Sequence, residues 1–286
     1  MKTRIISGAV GVIVLAAVIY FRNIPYLLNI VLALLSAIAA HELFAAKGLA
    51  SNKPLSVLGT VAAALPLFLS SSFLAKWGLL MLFVYVLLLF LVMMKYKDSL
   101  QLGDIAFAFA SSLLLPTAFY CLIGINNFKE TLDGVTDGDV LFFIILAVCG
   151  AWIADTGAYF TGMLLGKHKL APVISPKKTI EGFVGGIVFN MLVFALAGFI
   201  YTRIDSGVAV NYLFLLVLGA LSAVIGCIGD LSASVIKRKA GIKDYGKIMP
   251  GHGGVMDRFD SFLMVVPMTY IVINSFWSVW PLIIRG

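Results

Sequence analysis

Long apolar runs alternate with short polar breaks along the whole chain. Runs near or above the length that crosses a hydrocarbon core of about 30 Å fall at residues 5–21, 25–45, 55–73, 77–94, 104–123, 140–162, 180–202, 211–232 and 261–283. The breaks are polar or turn-forming: Asn23 to Pro25, Ser51 to Pro54, Lys95 to Ser99, and the acidic stretch Glu130 to Asp139. Spans three and four are the least clearly separated, by Ser70, Ser71, Ser72 and Lys76. Lipid offers the backbone no hydrogen bonds, so each span must satisfy its own, and helices do so. The pattern predicts an all-α, polytopic integral membrane protein of about nine transmembrane helices.

The first run follows Met1, Lys2, Thr3 and Arg4, which resembles the basic start of a signal peptide. No small-residue cleavage pattern follows, and the run continues to Tyr20 and Phe21, so an uncleaved first helix is expected. With 61% hydrophobic residues, 12% charged and a mean hydropathy of +1.04, there is too little polar surface to coat a water-soluble globule. Cys121, Cys149 and Cys227 all lie in apolar spans without CxxC spacing and read as small core residues.

Charge orients the bundle. With the N-terminus in the cytoplasm, only Arg22, Lys76, Lys129, Arg203 and Arg285 of the 21 lysines and arginines fall outside. That asymmetry follows the positive-inside rule and predicts a multi-pass protein of the cell's inner (cytoplasmic) membrane with its charge-rich stretches in the cytoplasm. The net charge of +7 needs no further explanation, because a transporter would show the same bias. Nucleic acid is not an expected partner: the basic residues lie at headgroup level and no recognised binding module accompanies them. Residues 1–130 are expected to hold the N-terminal transmembrane helices, and 131–286 the C-terminal helices with the charged motifs.

Three polar features converge on the cytoplasmic side. Residues 152–182 begin with Asp155 in the sixth span and end with Glu181 at the start of the seventh; Gly229 and Asp230 lie at the end of the eighth; residues 234–261 carry most of the remaining charge. Ionisable groups at membrane depth are costly and usually face a bundle interior or a water-filled cavity, which makes Asp155, Asp230 and Glu181 functional candidates. Asp257 and Asp260 are three residues apart, a spacing that puts both on one face of a helix. Such a pair can hold Mg²⁺ through one or two oxygens while neighbouring cations bind phosphate; helix capping is the plainer alternative. "PGHGG", residues 250–254, supplies Gly251, Gly253 and Gly254, whose amides can approach an anion closely, although a simple turn before the last helix would look the same. His252 fits a phosphate donor or a loop hydrogen bond equally. "SPKKT", residues 175–179, sets Lys177 and Lys178 before a helix N-terminus, where they serve a lipid headgroup or a catalytic role. His41 and Glu42 close the second span and read as interfacial or structural. Gly162 with Gly166 and Gly182 with Gly186 have the spacing of close helix packing, which also makes a homodimer plausible.

Carboxylates for a metal, several cations, a glycine-rich loop and a membrane setting together indicate phosphoryl-type transfer to a lipid, by positioning and charge neutralisation without a covalent nucleophile. Ser234, Lys237, Arg238, Lys243, Asp244, Gly246, Pro250, Gly251, His252, Gly253, Gly254, Asp257, Arg258, Asp260 and Ser261 resemble the C-terminal signature of the phosphatidate cytidylyltransferases, the CDP-diacylglycerol synthases. Asp155, Tyr159, Gly166, Lys167, Ser175 to Thr179, Glu181 and Gly182 resemble that family's other polar block. Met249 departs from the family's usual Leu or Phe before Pro-Gly-His-Gly-Gly, a soft apolar exchange.

The resemblance implies CTP and phosphatidate as substrates, CDP-diacylglycerol and pyrophosphate as products in phospholipid biosynthesis, and a requirement for Mg²⁺, with room for a second cation. On that basis Asp230, Asp257 and Asp260 are assigned to the metal, and Lys237, Arg238, Lys243 and Arg258 to the CTP phosphates. Asp155 and Glu181 would orient cations or a second metal, Lys177 and Lys178 would hold the phosphatidate headgroup, and Asp244 and His252 complete the catalytic set. Two rivals are a CTP-dependent polyprenol or lipid kinase, similar in the C-terminal region, and a secondary transporter. The nine spans show no convincing internal repeat to support the transporter.

Overall fold

The computed structural model describes residues 2–251 and 253–285, with side chains placed from Ser7 onward. The chain is helical along most of its length: α1 (Lys2–Tyr20), α2 (Leu27–Ala46), α3 (Lys53–Ala64), α4 (Ser71–Lys95), α5 (Leu102–Asn126), a short α6 (Phe128–Thr131), α7 (Asp137–Leu165), α8 (Ile180–Ile204), α9 (Tyr212–Lys239), a short α10 (Met256–Phe259) and α11 (Phe262–Phe276). Among the described residues six helices, α2, α4, α5, α7, α8 and α9, are long and apolar enough to cross a membrane. Three shorter apolar helices, at Ser7–Tyr20, Lys53–Phe68 and Phe262–Phe276, lie where the other three spans were expected.

The breaks in the apolar pattern act as caps. Asn52 accepts from the Leu55 N–H at 3.2 Å with Pro54 in the first turn of α3, Ser70 accepts from Phe73 N–H at 3.2 Å, and Thr179 accepts from Gly182 N–H at 3.1 Å. Thr136 and Asp139 form a reciprocal capping box at the start of α7. Each side chain satisfies an amide that helix geometry leaves without an internal partner.

Four short strands qualify the all-helical expectation. β1 (Lys169–Ala171) pairs antiparallel with β2 (Ser175–Thr179), and β3 (Val208–Val210) with β4 (Ile283–Arg285). "SPKKT" is therefore a strand running directly into α8, and not a plain turn. Its two-stranded pairing leaves an edge free, which is where a strand proline such as Pro176 is tolerated.

Contacts divide the chain into two compact units: Met1–Tyr120 with Lys239–Phe259, and Cys121–Arg238 with Asp260–Gly286. The sequence boundary at residue 130 marked where the charged motifs begin, whereas this division follows packing. In the first unit α2 is the core helix, with Leu32, Ala39, Ala40 and Phe44 buried. Gly59 of α3 leaves room for the Phe44 ring, and Ser36 donates to the Ala63 carbonyl at 2.6 Å. α4 is peripheral: only 11% of its apolar window is buried, and Leu79, Phe83 and Met94 point outward, as expected of a helix solvated by acyl chains.

In the second unit α7 is central, with 61% of its window buried, and it packs on α8 and α11. The α7–α8 contact is close enough that a Cβ on Gly182 would sit 2.7 Å from the Ala158 carbonyl and 3.1 Å from the Gly162 Cα. Gly186 meets the Ala154 carbonyl in the same way, at 2.8 Å. The glycine pairs that made a homodimer plausible are used inside one chain. At the N-terminal end of α7 the fully buried Asp139 is held by Tyr201 of α8 and, at 2.7 Å, by Arg285 of β4, which also reaches Asp205 at 3.1 Å.

Candidate active site

A second group of charges in the second unit is arranged differently. Lys178, at the end of β2, places its Nζ 2.6 Å from Oδ2 of Asp230 in α9. Burial lowers the lysine's proton affinity, but the adjoining Asp230 outweighs it and the ammonium is held above its ordinary range. Asp230 reaches Asp260 because α9 carries Gly229, where a Cβ would lie 2.7 Å from the Asp260 carbonyl and 3.1 Å from the Ser261 Cα. The chain entering α11 thus crosses α9 one residue before the carboxylate. Asp260 accepts from the Ser261 amide at 2.7 Å. Burial, then Asp230, push its carboxyl up to about 7; the Ser261 amide and Lys237 oppose this, and Asp155 adds to it.

Beside this group a cavity of about 310 Å³ opens between α7, β2, α8 and α9. Asp155, Lys177, Lys178, Thr179 and Cys227 line it, and Ala154, Ala158, Gly162, Gly182 and Ala223 keep it open. Asp155, Lys177, Lys178, Asp230 and Asp260, drawn from positions more than one hundred residues apart, therefore lie in one compact unit with Lys237 in electrostatic reach. Glu181 is at the margin: its carboxylate accepts from the Lys167 and His168 amides at 3.0 and 3.2 Å and contacts His168 Nδ1 at 2.6 Å, so it closes the β1–β2 segment onto α8. Arg238 is exposed and donates to the Ile174 carbonyl at 3.4 Å.

The remaining candidates belong to the first unit. Residues 249–253 form a tight turn in which the Met249 amide donates to the Gly253 carbonyl at 2.9 Å, with Gly251 at φ 78° and Gly253 at φ 91°. These left-handed conformations favour glycine. Gly254 is buried, Lys243, Asp244 and Arg258 are exposed, and His252 lies outside the described residues. Asp257 turns back on this loop, its Oδ2 accepting from Tyr245 at 2.7 Å and from Gly254 at 2.9 Å. Asp257 and Asp260 do not share one continuous helical face, because α10 ends at Phe259 and α11 begins at Phe262.

The sequence reading passed over Glu42. It is 4% exposed in the apolar α2, and its two oxygens accept from the Val255 and Met256 amides at 3.1 and 2.8 Å. A carboxylate inside an apolar span was the available signal; its partners, being backbone amides, left no trace in the residue pattern.

A match to the cytidylyltransferase family covers residues 2–276. The chain belongs to that family. It is 31% identical over 282 residues to a phosphatidate cytidylyltransferase of Bacillus subtilis (strain 168), covering 96% of this chain and 98% of the relative. A phosphatidate cytidylyltransferase of Staphylococcus epidermidis is 34% identical over 278 residues, covering 96% and 99%. One from Staphylococcus haemolyticus is 40% identical over 189 residues, 66% of each chain. The match takes in the first five spans, which by sequence were recognisable only as apolar.

Among the described residues no group of three or more His, Cys, Asp and Glu side chains is placed to hold a metal on its own. Two crowded carboxylates nevertheless suit Mg²⁺, which is usually held by one or two protein oxygens together with substrate phosphates and water. The raised proton affinity of Asp260 shows that this position favours added positive charge.

Proposed function

We propose that this chain transfers the cytidylyl group of CTP to phosphatidate, giving CDP-diacylglycerol and pyrophosphate. The observation that carries the reading is the Lys178–Asp230 pair with Asp260 and Asp155 beside a cavity in an otherwise apolar chain. An oxygen of the phosphatidate phosphate bonds to the α-phosphorus of CTP; the bond from that phosphorus to the bridging oxygen breaks, and pyrophosphate leaves with its electron pair. The attacking oxygen is already anionic near neutrality, so repulsion between two anions, and not the lack of a base, is the obstacle.

Lys177 and Lys178 hold the phosphatidate phosphate at the cavity. Lys237, Arg238, Lys243 and Arg258 attract the triphosphate, with Gly251, Gly253 and Gly254 presenting backbone and Asp244 and His252 beside them. Asp230 and Asp260, with Asp257 as a further ligand, would hold Mg²⁺, which when bound neutralises phosphate oxygens. Asp155 and Glu181 orient the surrounding cations. The small residues around the cavity leave space for the glycerol end of the lipid.

All nine apolar helices cross the membrane in this reading, with the N-terminus and the reaction on the cytoplasmic face of the inner membrane. The uneven distribution of lysine and arginine supports this orientation. The test is to incubate purified protein in detergent with Mg²⁺, phosphatidate and CTP labelled at the α-phosphate. Label in the lipid together with released pyrophosphate is expected. Label remaining in soluble CDP would make the chain a kinase, and untouched CTP would overturn the enzymatic reading.

A further inference from the structure

Glu42 is an ionisable side chain in a span that the reaction as described does not use. A carboxylate in such a position costs several kcal/mol unless it is fully hydrogen-bonded. Its compensation is specific: the Val255 and Met256 amides, 213 and 214 residues further along, both donate to it. It also fits only because two neighbours lack side chains. A Cβ on Gly246 or on Gly254 would run into the Glu42 carboxylate, and the Gly246 Cβ would lie 3.1 Å from the Gly254 Cα.

Asp257 completes the arrangement by accepting from Tyr245 and Gly254. Four amides, two on each carboxylate, therefore fix both sides of the turn at 249–253, whose Gly251 and Gly253 lie in a left-handed conformation. Fixing a loop before its ligand arrives removes an ordering cost from binding, and misplacement of about 1 Å can slow a positioned reaction roughly 100-fold.

We propose that Glu42 is a positioning residue for the reaction: from α2 it clamps the Pro-Gly-His-Gly-Gly loop in the conformation that receives the CTP phosphates. This rests on the reading of that loop as a nucleotide contact. A clamp of this kind predicts a substrate-selective defect, whereas a purely structural carboxylate predicts less folded protein with unaltered kinetics.

The experiment compares Glu42→Gln, Glu42→Ala, Gly246→Ala and the Glu42→Ala/Gly246→Ala double variant, purified in detergent, with thermal melting and separate saturation curves for CTP and phosphatidate. Glutamine keeps the size but turns an NH₂ toward one of the two donor amides, so kcat/KM for CTP should fall roughly 10- to 100-fold. The KM for phosphatidate should stay within about 2-fold, since the clamp acts on the nucleotide loop alone. Gly246→Ala should reproduce the CTP defect, and the double variant should be no worse than Glu42→Ala, because removing the carboxylate removes the collision.

Wild-type CTP kinetics in folded Glu42→Gln would overturn the clamp, as would a defect confined to melting temperature and active fraction. A defect in the phosphatidate KM alone would overturn the nucleotide part. Failure of the reaction itself would show separately, as wild-type protein that leaves no label in lipid.

Discussion

The second unit contains two groups of charges that differ in how completely they are satisfied. Around Asp139, one fully buried carboxylate receives Tyr201, Thr136 and Arg285, and Arg285 spans to Asp205. Around Asp230, three acids, Asp155, Asp230 and Asp260, share Lys178 and Lys237, and Asp260 is pushed toward neutrality beside a cavity. The first group is complete without a ligand and ties β4 to the ends of α7 and α8. The second carries unrelieved repulsion that a cation and anionic substrates would resolve. Local strain of this sort is expected where function and stability compete.

Substitutions should separate the two groups by sign. The largest effect is expected from Asp260→Asn or Asp230→Asn, which should lower kcat/KM roughly 1,000-fold or more. Asp260→Asn should at the same time leave the melting temperature in EDTA equal to or above wild type, because it removes one of the crowded acids. Activity near wild type in either variant would end the metal assignment. Lys178→Ala should cost roughly 100-fold in kcat/KM, read mainly in the phosphatidate curve.

Arg285→Ala should do the opposite of Asp260→Asn. It leaves Asp139 buried without its cation and should cost roughly 2–4 kcal/mol of stability, below the value for full burial because Arg285 is part exposed. The folded fraction should keep kcat/KM within about 2-fold, since additivity holds for sites that share no partners. A kinetic defect in that fraction would show that the two groups are coupled.

The smallest effect concerns pH. Asp260 has a carboxyl raised from 3.8 to about 7, so the folded state binds the proton more tightly than the unfolded chain. In EDTA, stability should therefore fall as pH climbs from about 4 through 7. Asp260→Asn should flatten that decline, and Mg²⁺ should restore stability on its alkaline side. A melting curve equally steep with pH in Asp260→Asn would move the titration to another group.

Much of the architecture was legible in the residue pattern because the bilayer acts locally. Runs such as 77–94 must be apolar on every side, and α4 is exposed along nearly its whole length. Caps were legible for a similar reason: Asn52, Ser70 and Thr179 bond amides three residues away. "SPKKT" was misjudged because its strand needs β1, whose residues Lys169 to Ala171 carry no strong strand signal alone. The three-residue spacing of Asp257 and Asp260 suggested one helical face, but the chain turns between α10 and α11 so that Asp260 can pack beside Gly229.

By itself, the sequence determined a membrane-embedded helical protein, the identity of its charged motifs and their resemblance to a lipid nucleotidyltransferase, since these depend on composition and on spacing over a few residues. Only the tertiary structure decided which charges meet. It joined Lys178 to Asp230, carried Asp260 to the same place, closed Asp139 with a residue next to the C-terminus, and set Glu42 against amides 213 residues away. The physical reason is that these partnerships need close helix approach at glycines and bonds to backbone groups, which every residue but proline offers alike and no side-chain pattern records.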